Sequence, residues 1–272
     1  MTPLRLPLRR PAAKLTADDS RFRAELASGP RDVLATQRLR YKVFASEMGA
    51  KLKGRAVRLD RDRYDKYCRH LLVRDLVTHK VVASTRILSE SAARRAGGFY
   101  SAQEFELGQI HRLPGRVLEV GRTCVHPDYR SGAVIAVLWS ALAELILDEG
   151  YDYVIGCASI TVEGDGGNVE AIMQKVREKY MIEAAMRVQP KLGMMPVAPS
   201  LGVQRTPPLL KAYFSLGAKV CGEPCLDPDF GVADVFILLD VAEMSPRYLR
   251  HFMRNKTTGS QAGAAKGPKQ VH

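Results

Sequence analysis

Residues 117–130 read VLEVGRTCVHPDYR. The run begins as a β-strand, with Val117, Leu118 and Val120 in positions that suit a pleated, half-buried surface. A carboxylate, a glycine and a guanidinium occupy its centre: Glu119, Gly121 and Arg122. His126-Pro127-Asp128 ends it, because proline donates nothing to a ladder and favours a turn. Arg130-Ser131-Gly132-Ala133 then opens a long apolar helix over residues 133–149, closed by Gly150. The first turn of a helix offers free N–H donors, so a phosphate can be held there beside a reacting group on the strand. Strict alternation puts Glu119 and Arg122 on opposite faces of that strand. A β-bulge at Gly121 is therefore predicted, bringing both side chains to one face.

The flanking sequence supplies a sheet for this strand to join. Residues 21–27 alternate, with Phe22, Ala24 and Leu26 on one side. After Gly29-Pro30 a helix is predicted over residues 31–48, with Ala35, Leu39 and Val43 one turn apart and Gly49 as its stop. It carries Arg40 and Phe44. Residues 51–66 are charged and aperiodic, a loop or a poorly formed helix. Residues 69–76 and 80–89 read as a hairpin, with Arg86 on its second strand. Ser101-Ala-Gln-Glu104 has the spacing of a capping box and predicts a short helix to about Gln109.

On the C-terminal side, residues 152–160 form a continuous apolar run, as in a strand covered on both faces. A helix is predicted over 169–186, then a proline-rich irregular stretch over 190–208, a candidate lid. A helix over 207–216, strands over 218–221 and 233–240, and a last helix over 246–253 complete the pattern. The fold class is α/β (α+β), a mixed sheet flanked by helices. There is no GxGxxG and no GxxxxGK[ST], so neither a dinucleotide fold nor a P-loop is expected.

The 272 residues carry a formal net charge of +12. Residues 1–19 read as a basic flexible tail and 254–272 as a basic disordered tail, leaving 20–253 as one domain. Arg5, Arg9, Arg10 and Lys14 at one end, and Arg254, Lys256, Lys266 and Lys269 at the other, have no nearby acid. This asymmetry suits an anionic partner or a solvated pair of tails. No apolar run predicts a transmembrane span or a secretory signal, and the five scattered cysteines read as reduced thiols. Cys221 and Cys225 lack the further ligands of a zinc site, so no metal is expected.

Six segments in order carry a family resemblance. They are LRYKVFASEMGA from Leu39, DRYDKYCRHLLV from Asp62, GGFYSAQEFEL from Gly97, LEVGRTCVHPDYR from Leu118, IGCASI from Ile155, and PPLLKAYFSLGAKVCGEPCLDPDFGVADVFILL from Pro207. The chain resembles the ornithine–acyl-carrier-protein N-acyltransferases that begin ornithine-lipid synthesis, within the GCN5-related (GNAT) superfamily that also holds the acyl-homoserine-lactone synthases. The resemblance implies a GNAT-like sheet with splayed central strands that admit a pantetheine arm. It marks Glu119 and Arg122 as catalytic, and Arg40, Phe44, Asp62, Asp65 and Arg86 as substrate-binding. Arg130 and Gly132 resemble a reduced phosphate loop for a phosphopantetheine, which points to acyl-carrier protein as donor. No cofactor is implied beyond the acyl thioester. A cytoplasmic protein in contact with the anionic inner membrane face is implied, with no nucleic acid. Arg69 stands where an aspartate is expected, and Gly231-Val232 where a polar pair is expected.

The residues suit this chemistry. An amino-acid amine must lose a proton before it attacks a thioester, and a carboxylate such as Glu119 is a base for it. A bulge frees a backbone N–H for the thioester oxygen. Arg122 or Arg86 suits an α-carboxylate, and Asp62 and Asp65 suit a cationic side chain. The expected reaction moves a long, 3-hydroxylated acyl chain to the α-amine of an amino acid, with L-ornithine as the first candidate. The alternatives are an N-acyl amino acid or homoserine-lactone type of synthase, and a non-enzymatic basic adaptor.

Overall fold

The computed structural model describes residues 18–19, 21–52, 55–130, 132–202 and 204–244. Most of both basic tails, Ser131 and the helix expected at 246–253 lie outside the described residues.

A hairpin of β1 (Asp18–Asp19) and β2 (Phe22–Leu26) comes first among the described elements. Helix α1 (Pro30–Tyr41) opens on a proline, whose missing N–H costs nothing in a first turn. The helix expected to run through residue 48 instead loosens into a π-helical turn, Lys42–Glu47, a widening common at functional sites. Strands β3 (Arg69–Asp75) and β4 (Val81–Ser89) form the predicted hairpin. Next come α2 (Glu90–Ala96), β5 (Phe105–Glu106), β6 (Val117–Val125) and the long α3 (Ala133–Asp148). The second half holds β7 (Tyr153–Thr161), α4 (Gly167–Lys179), β8 (Gln189–Pro190), α5 (Pro208–Leu216), β9 (Lys219–Val220), β10 (Cys225–Asp227) and β11 (Val232–Asp240).

The capping-box helix does not form. Residues Tyr100–Gln103 make a 3-10 turn capped at Phe99, because Glu119 of β6 takes the N–H groups of Tyr100 and Ser101. Glu104 is thereby released from any capping role. The helix expected over 169–186 stops at Lys179, and β10 is an additional short strand between those expected over 218–221 and 233–240.

The main sheet runs β1-β2-β3-β4-β6-β7-β11-β10, with β9 also on β11. Every pairing is antiparallel except β6 with β7, which α3 connects as a crossover. That pair is held over three positions only: Val117↔Tyr153, Leu118↔Val154 and Glu119↔Ile155. Beyond them β6 stays with β4 while β7 follows β11 along its whole length. The two central strands therefore splay, as expected. Gly156 sits at the fork, where a Cβ would lie 2.3 Å from the Val120 carbonyl oxygen. Any larger residue would wedge the strands apart at that point.

Three of the four apolar clusters among the described residues cover most of the sheet. Leu71, Val73, Ile87 and Leu118 pack against Val134, Leu138 and Leu142 of α3. Val235 and Ile237 pack with α4 and α5 through Val169, Ile172 and Leu210. On the opposite face Leu88, Val117, Ile155 and Phe236 meet Ala92, Phe99 and Phe105. The splay interrupts the sheet between these layers, and the site lies in the gap.

Candidate active site

The predicted bulge is present. Ser84 pairs with Cys124 and Arg86 with Gly121, so one residue on β4 faces two on β6, Arg122 and Thr123. Arg122 has φ +51°, a left-handed backbone rare for a non-glycine residue. The distortion thus sits one residue after Gly121. It turns Arg122 to the side of the sheet already occupied by Glu119 and Arg86. Its guanidinium lies 4.6 Å from the Phe230 ring centre, 5.0 Å from Tyr100 and 5.9 Å from Phe44.

The splay opens a cavity of about 760 Å³, within the range of small-molecule sites. Glu119, Arg122, Arg86 and Phe44 line it, and so do Glu104, Cys157, Asp227 and Asp234. Its other wall is apolar, with Val120, Ile135, Trp139, Leu209 and Tyr213. A narrow slot continues from Trp139 and Tyr213 past Leu142, Ala143, Ile146 and Leu239.

Glu119 is buried, with Oε2 accepting from Tyr100 N at 2.6 Å and Oε1 from Ser101 N at 2.8 Å. Burial raises its pKa, while the donors at Ser101 and Tyr100 and the charge of Arg86 restrain the rise. A carboxylate raised in this way is a stronger base than one in water.

Arg40, Asp60, Asp62, Asp65, Arg86 and Arg122 form one ionic network. Arg40 Nε bonds Asp60 Oδ2 at 2.9 Å, and its Nη2 bonds Asp65 Oδ2 at 2.9 Å. Arg40 also donates to the Asp60 carbonyl. Arg86 Nη1 reaches both oxygens of Asp62 at 2.7 Å, and Asp65 Oδ1 at 3.4 Å. Burial works against the Asp65 carboxylate, but Arg40 and Arg86 hold its pKa below the usual value. Arg122 is held loosely by comparison: Nε stands 3.5 Å from Asp60 and has no hydrogen-bond partner.

These distances sort the residues expected from the sequence. Glu119, Arg122, Arg86 and Phe44 come together on the cavity. Arg40 is 1% exposed and, with Asp62 and Asp65, lies in the network behind the lining. The oxygens of Asp62 and Asp65 are engaged by Arg86 and Arg40, so they do not fit the role of free receptors for a cation. Arg86, clamped by Asp62, is likewise less available than Arg122 for a carboxylate. Arg130 lines the cavity rim, but its guanidinium makes a bidentate pair with Glu47, at 2.5 and 2.8 Å. Gly132 caps α3 with φ +100°. Arg69 pairs with Glu149 on the surface, and Gly231 makes the turn between β10 and β11 with φ +65°. Arg69 and Gly231 are not among the cavity-lining groups, whereas Val232 is.

Sequence reasoning missed Glu104, Asp227 and Asp234. Their carboxylate oxygens lie within 4.8 Å of one another. Burial and the charges of Asp234 and Asp227 push Glu104 up to about 8. Burial and Asp227 push Asp234 up to about 6, against the hydrogen bond from Ser159 Oγ at 2.6 Å.

Residues 39–140 match the acetyltransferase (GNAT) domain family. The chain is similar to an L-ornithine N(alpha)-acyltransferase of Rhizobium meliloti (strain 1021), 32% identical over 95% of this chain and 91% of the relative. It belongs to the L-ornithine N(alpha)-acyltransferase family. A second member, from Brucella abortus (strain 2308), is 31% identical over 84% of this chain and 87% of its own length. The fold is similar to that of the acyl-homoserine lactone synthase BjaI, with TM-score 0.53 and 17% identity over 92% and 95% of the two chains. It is also similar to FeeM, an N-acyl amino acid synthase, with TM-score 0.50 and 13% identity over 82% and 92%. The protein is therefore an acyltransferase with the GNAT fold, and the reading of a non-enzymatic adaptor falls away. Acyltransferases of this kind act on acyl thioesters and need no cofactor. No described helix is long and apolar enough to cross a membrane.

Proposed function

We propose that this enzyme transfers a long acyl chain from a carrier-bound thioester to the α-amine of L-ornithine, giving an N-acyl amino acid. The observation that carries the reading is the pairing of Glu119 and Arg122 on one side of the bulged strand, inside a cavity with an apolar second wall. The family relatives are named for acyl transfer to the α-nitrogen of L-ornithine.

In this reading the Arg122 guanidinium, which lines the cavity, binds the α-carboxylate. Glu119 accepts a proton from the α-ammonium, directly or through water, and frees the nitrogen lone pair. The nitrogen adds to the thioester carbon, and negative charge builds on the oxygen beside the backbone of the bulge. Collapse forms the amide and expels the thiolate, which leaves as the carrier thiol after protonation. The acyl tail follows the apolar wall into the slot between Trp139 and Ala143.

The phosphopantetheine arm enters between the splayed strands, with its phosphate near the start of α3, where Gly132 and Arg130 stand. Acyl-carrier protein as donor is supported by an open basic hollow at the same end of β6. Arg38, Lys42 and Arg58 line that hollow, and Lys42 Nζ lies 2.6 Å from His126 Nε2. A cytoplasmic enzyme touching the anionic inner membrane face fits a lipid-like product and an excess of basic residues. Purified enzyme given 3-hydroxyacyl carrier protein and L-ornithine tests the reading, with mass spectrometry of the amide formed. A product acylated on the α-nitrogen supports it; a lactone, or no amide, contradicts it.

A further inference from the structure

The sheet face that carries Glu119 is electrically polarised. Paired residues in antiparallel strands share a face. Asp234 pairs with Ser159 and Cys225, and Asp227 with Val232. Asp227, Asp234 and Ser159 therefore stand on the side of Cys157 and Ile155, and Ile155 pairs with Glu119. Across this surface Arg86 stands on β4, Glu119 and Arg122 on β6, Cys157 on β7, Asp234 on β11 and Asp227 on β10. Glu104 descends on the acidic end from the segment that follows the 3-10 turn.

We propose that Glu104, Asp227 and Asp234 form the subsite for the side-chain ammonium of the acceptor, selecting a diamino acid over one with an apolar side chain. The assignment rests on the amide-forming reaction proposed above. Asp234 is 5% exposed, and Glu104 Oε2 is buried without a hydrogen-bond partner. Among the described residues no salt bridge reaches any of the three carboxylates. Three clustered acids, one buried and two half-buried, with no ion-pair partner and only the charge of Arg122 acting from nearby, are unfavourable by themselves, and an entering ammonium removes that penalty. The zwitterion then fits in one orientation. Its carboxylate faces Arg122, its α-nitrogen faces Glu119, and its methylene chain runs over Cys157 towards the acids. An ammonium has three donors for three carboxylates. A hard metal ion would draw on the same carboxylate oxygens and the Ser159 hydroxyl, and the test below separates the two occupants.

The raised values of Glu104 and Asp234 agree with this role. Desolvation and mutual repulsion with Asp227 hold protons on the pair, while Arg122, Ser159 and Cys157 oppose it. An arriving cation must displace those protons, so ornithine binding tightens as pH rises from about 6 to about 8.

The test compares L-ornithine with L-norvaline, which lacks only the terminal amine, in the intact enzyme and in Glu104→Gln and Asp234→Asn. The intact enzyme should favour ornithine roughly a hundredfold or more in kcat/KM, because buried acids left unpaired reject the shorter acceptor. Each variant should cut that preference at least tenfold, chiefly through the KM for ornithine. The fall of KM between pH 6 and pH 8 should disappear in Glu104→Gln, which a purely structural role would not produce. Melting temperatures establish that the variants fold. Without ornithine, Glu104→Gln should melt no lower than wild type above pH 8, where the native charged carboxylate is destabilising. An unchanged preference in both variants overturns the subsite while leaving acyl transfer to ornithine intact. Manganese or calcium that raises the melting temperature of wild type but not of Asp234→Asn overturns it in favour of a metal site. No transfer to any amino acid removes the reaction and the subsite together.

Discussion

Glu119 shows how one residue ties sequence, fold and chemistry together. Its carboxylate organises the 3-10 turn through Tyr100 and Ser101, and the same contacts hold it in place inside the cavity. The residue was legible because a charge in mid-strand beside glycine demands an explanation. Glu104 was not, because the SAQE spacing fits a capping box, and only the distant Glu119 cancels that local preference. Asp62 and Asp65 were singled out from the sequence, but their place in the ionic network behind the cavity lining was not legible. No local pattern says that Arg40 and Arg86 will occupy their oxygens. Arg40→Ala would leave Asp60 and Asp65 buried and short of a counter-charge, at a cost of roughly 3–5 kcal/mol. Urea unfolding checks this; a loss below about 1 kcal/mol, the range of an exposed pair, would contradict the network's buried role.

At the scale of elements, the site is made by two strands that pair for three residues and then part. The β6 and β7 strands, the α3 crossover and the need for a bulge could be read from apolar runs, the turn at His126-Pro127 and the spacing of Glu119 and Arg122. The π turn after α1 and the short β10 could not, since helix periodicity does not register a widened turn and three residues are too few for a pattern. The fork itself depends on Gly156. Gly156→Ala places a methyl group against the Val120 carbonyl and should destabilise the enzyme by about 1–3 kcal/mol. It should also lower acyl transfer by shifting β7 against Glu119. Urea unfolding with an activity assay reads both effects; a variant equal to wild type in each would show that the fork tolerates a side chain.

Across the whole molecule, the apolar slot shares Trp139, Cys157 and Tyr213 with the cavity, and the basic hollow lies on the Lys42–Glu47 turn whose Phe44 lines that cavity. If the donor is an acidic carrier protein, reversing Lys42 and Arg58 to glutamate should raise the KM for acyl-carrier protein about tenfold. The KM for a small acyl-pantetheine donor should stay the same, and added salt should shrink the difference. Equal effects on both donors would place the carrier elsewhere. The central claim is that Glu119 activates the amine. Its most direct test is the initial rate of thiol release from acyl-carrier protein with L-ornithine, comparing wild type with Glu119→Gln across pH. The wild-type rate should rise with pH as Glu119 loses its proton, at a pKa above the ordinary carboxylate value because of burial. The folded variant should be slower by about 10²–10⁴-fold and lose that dependence. A Glu119→Gln enzyme that keeps the wild-type rate and pH profile would contradict the account.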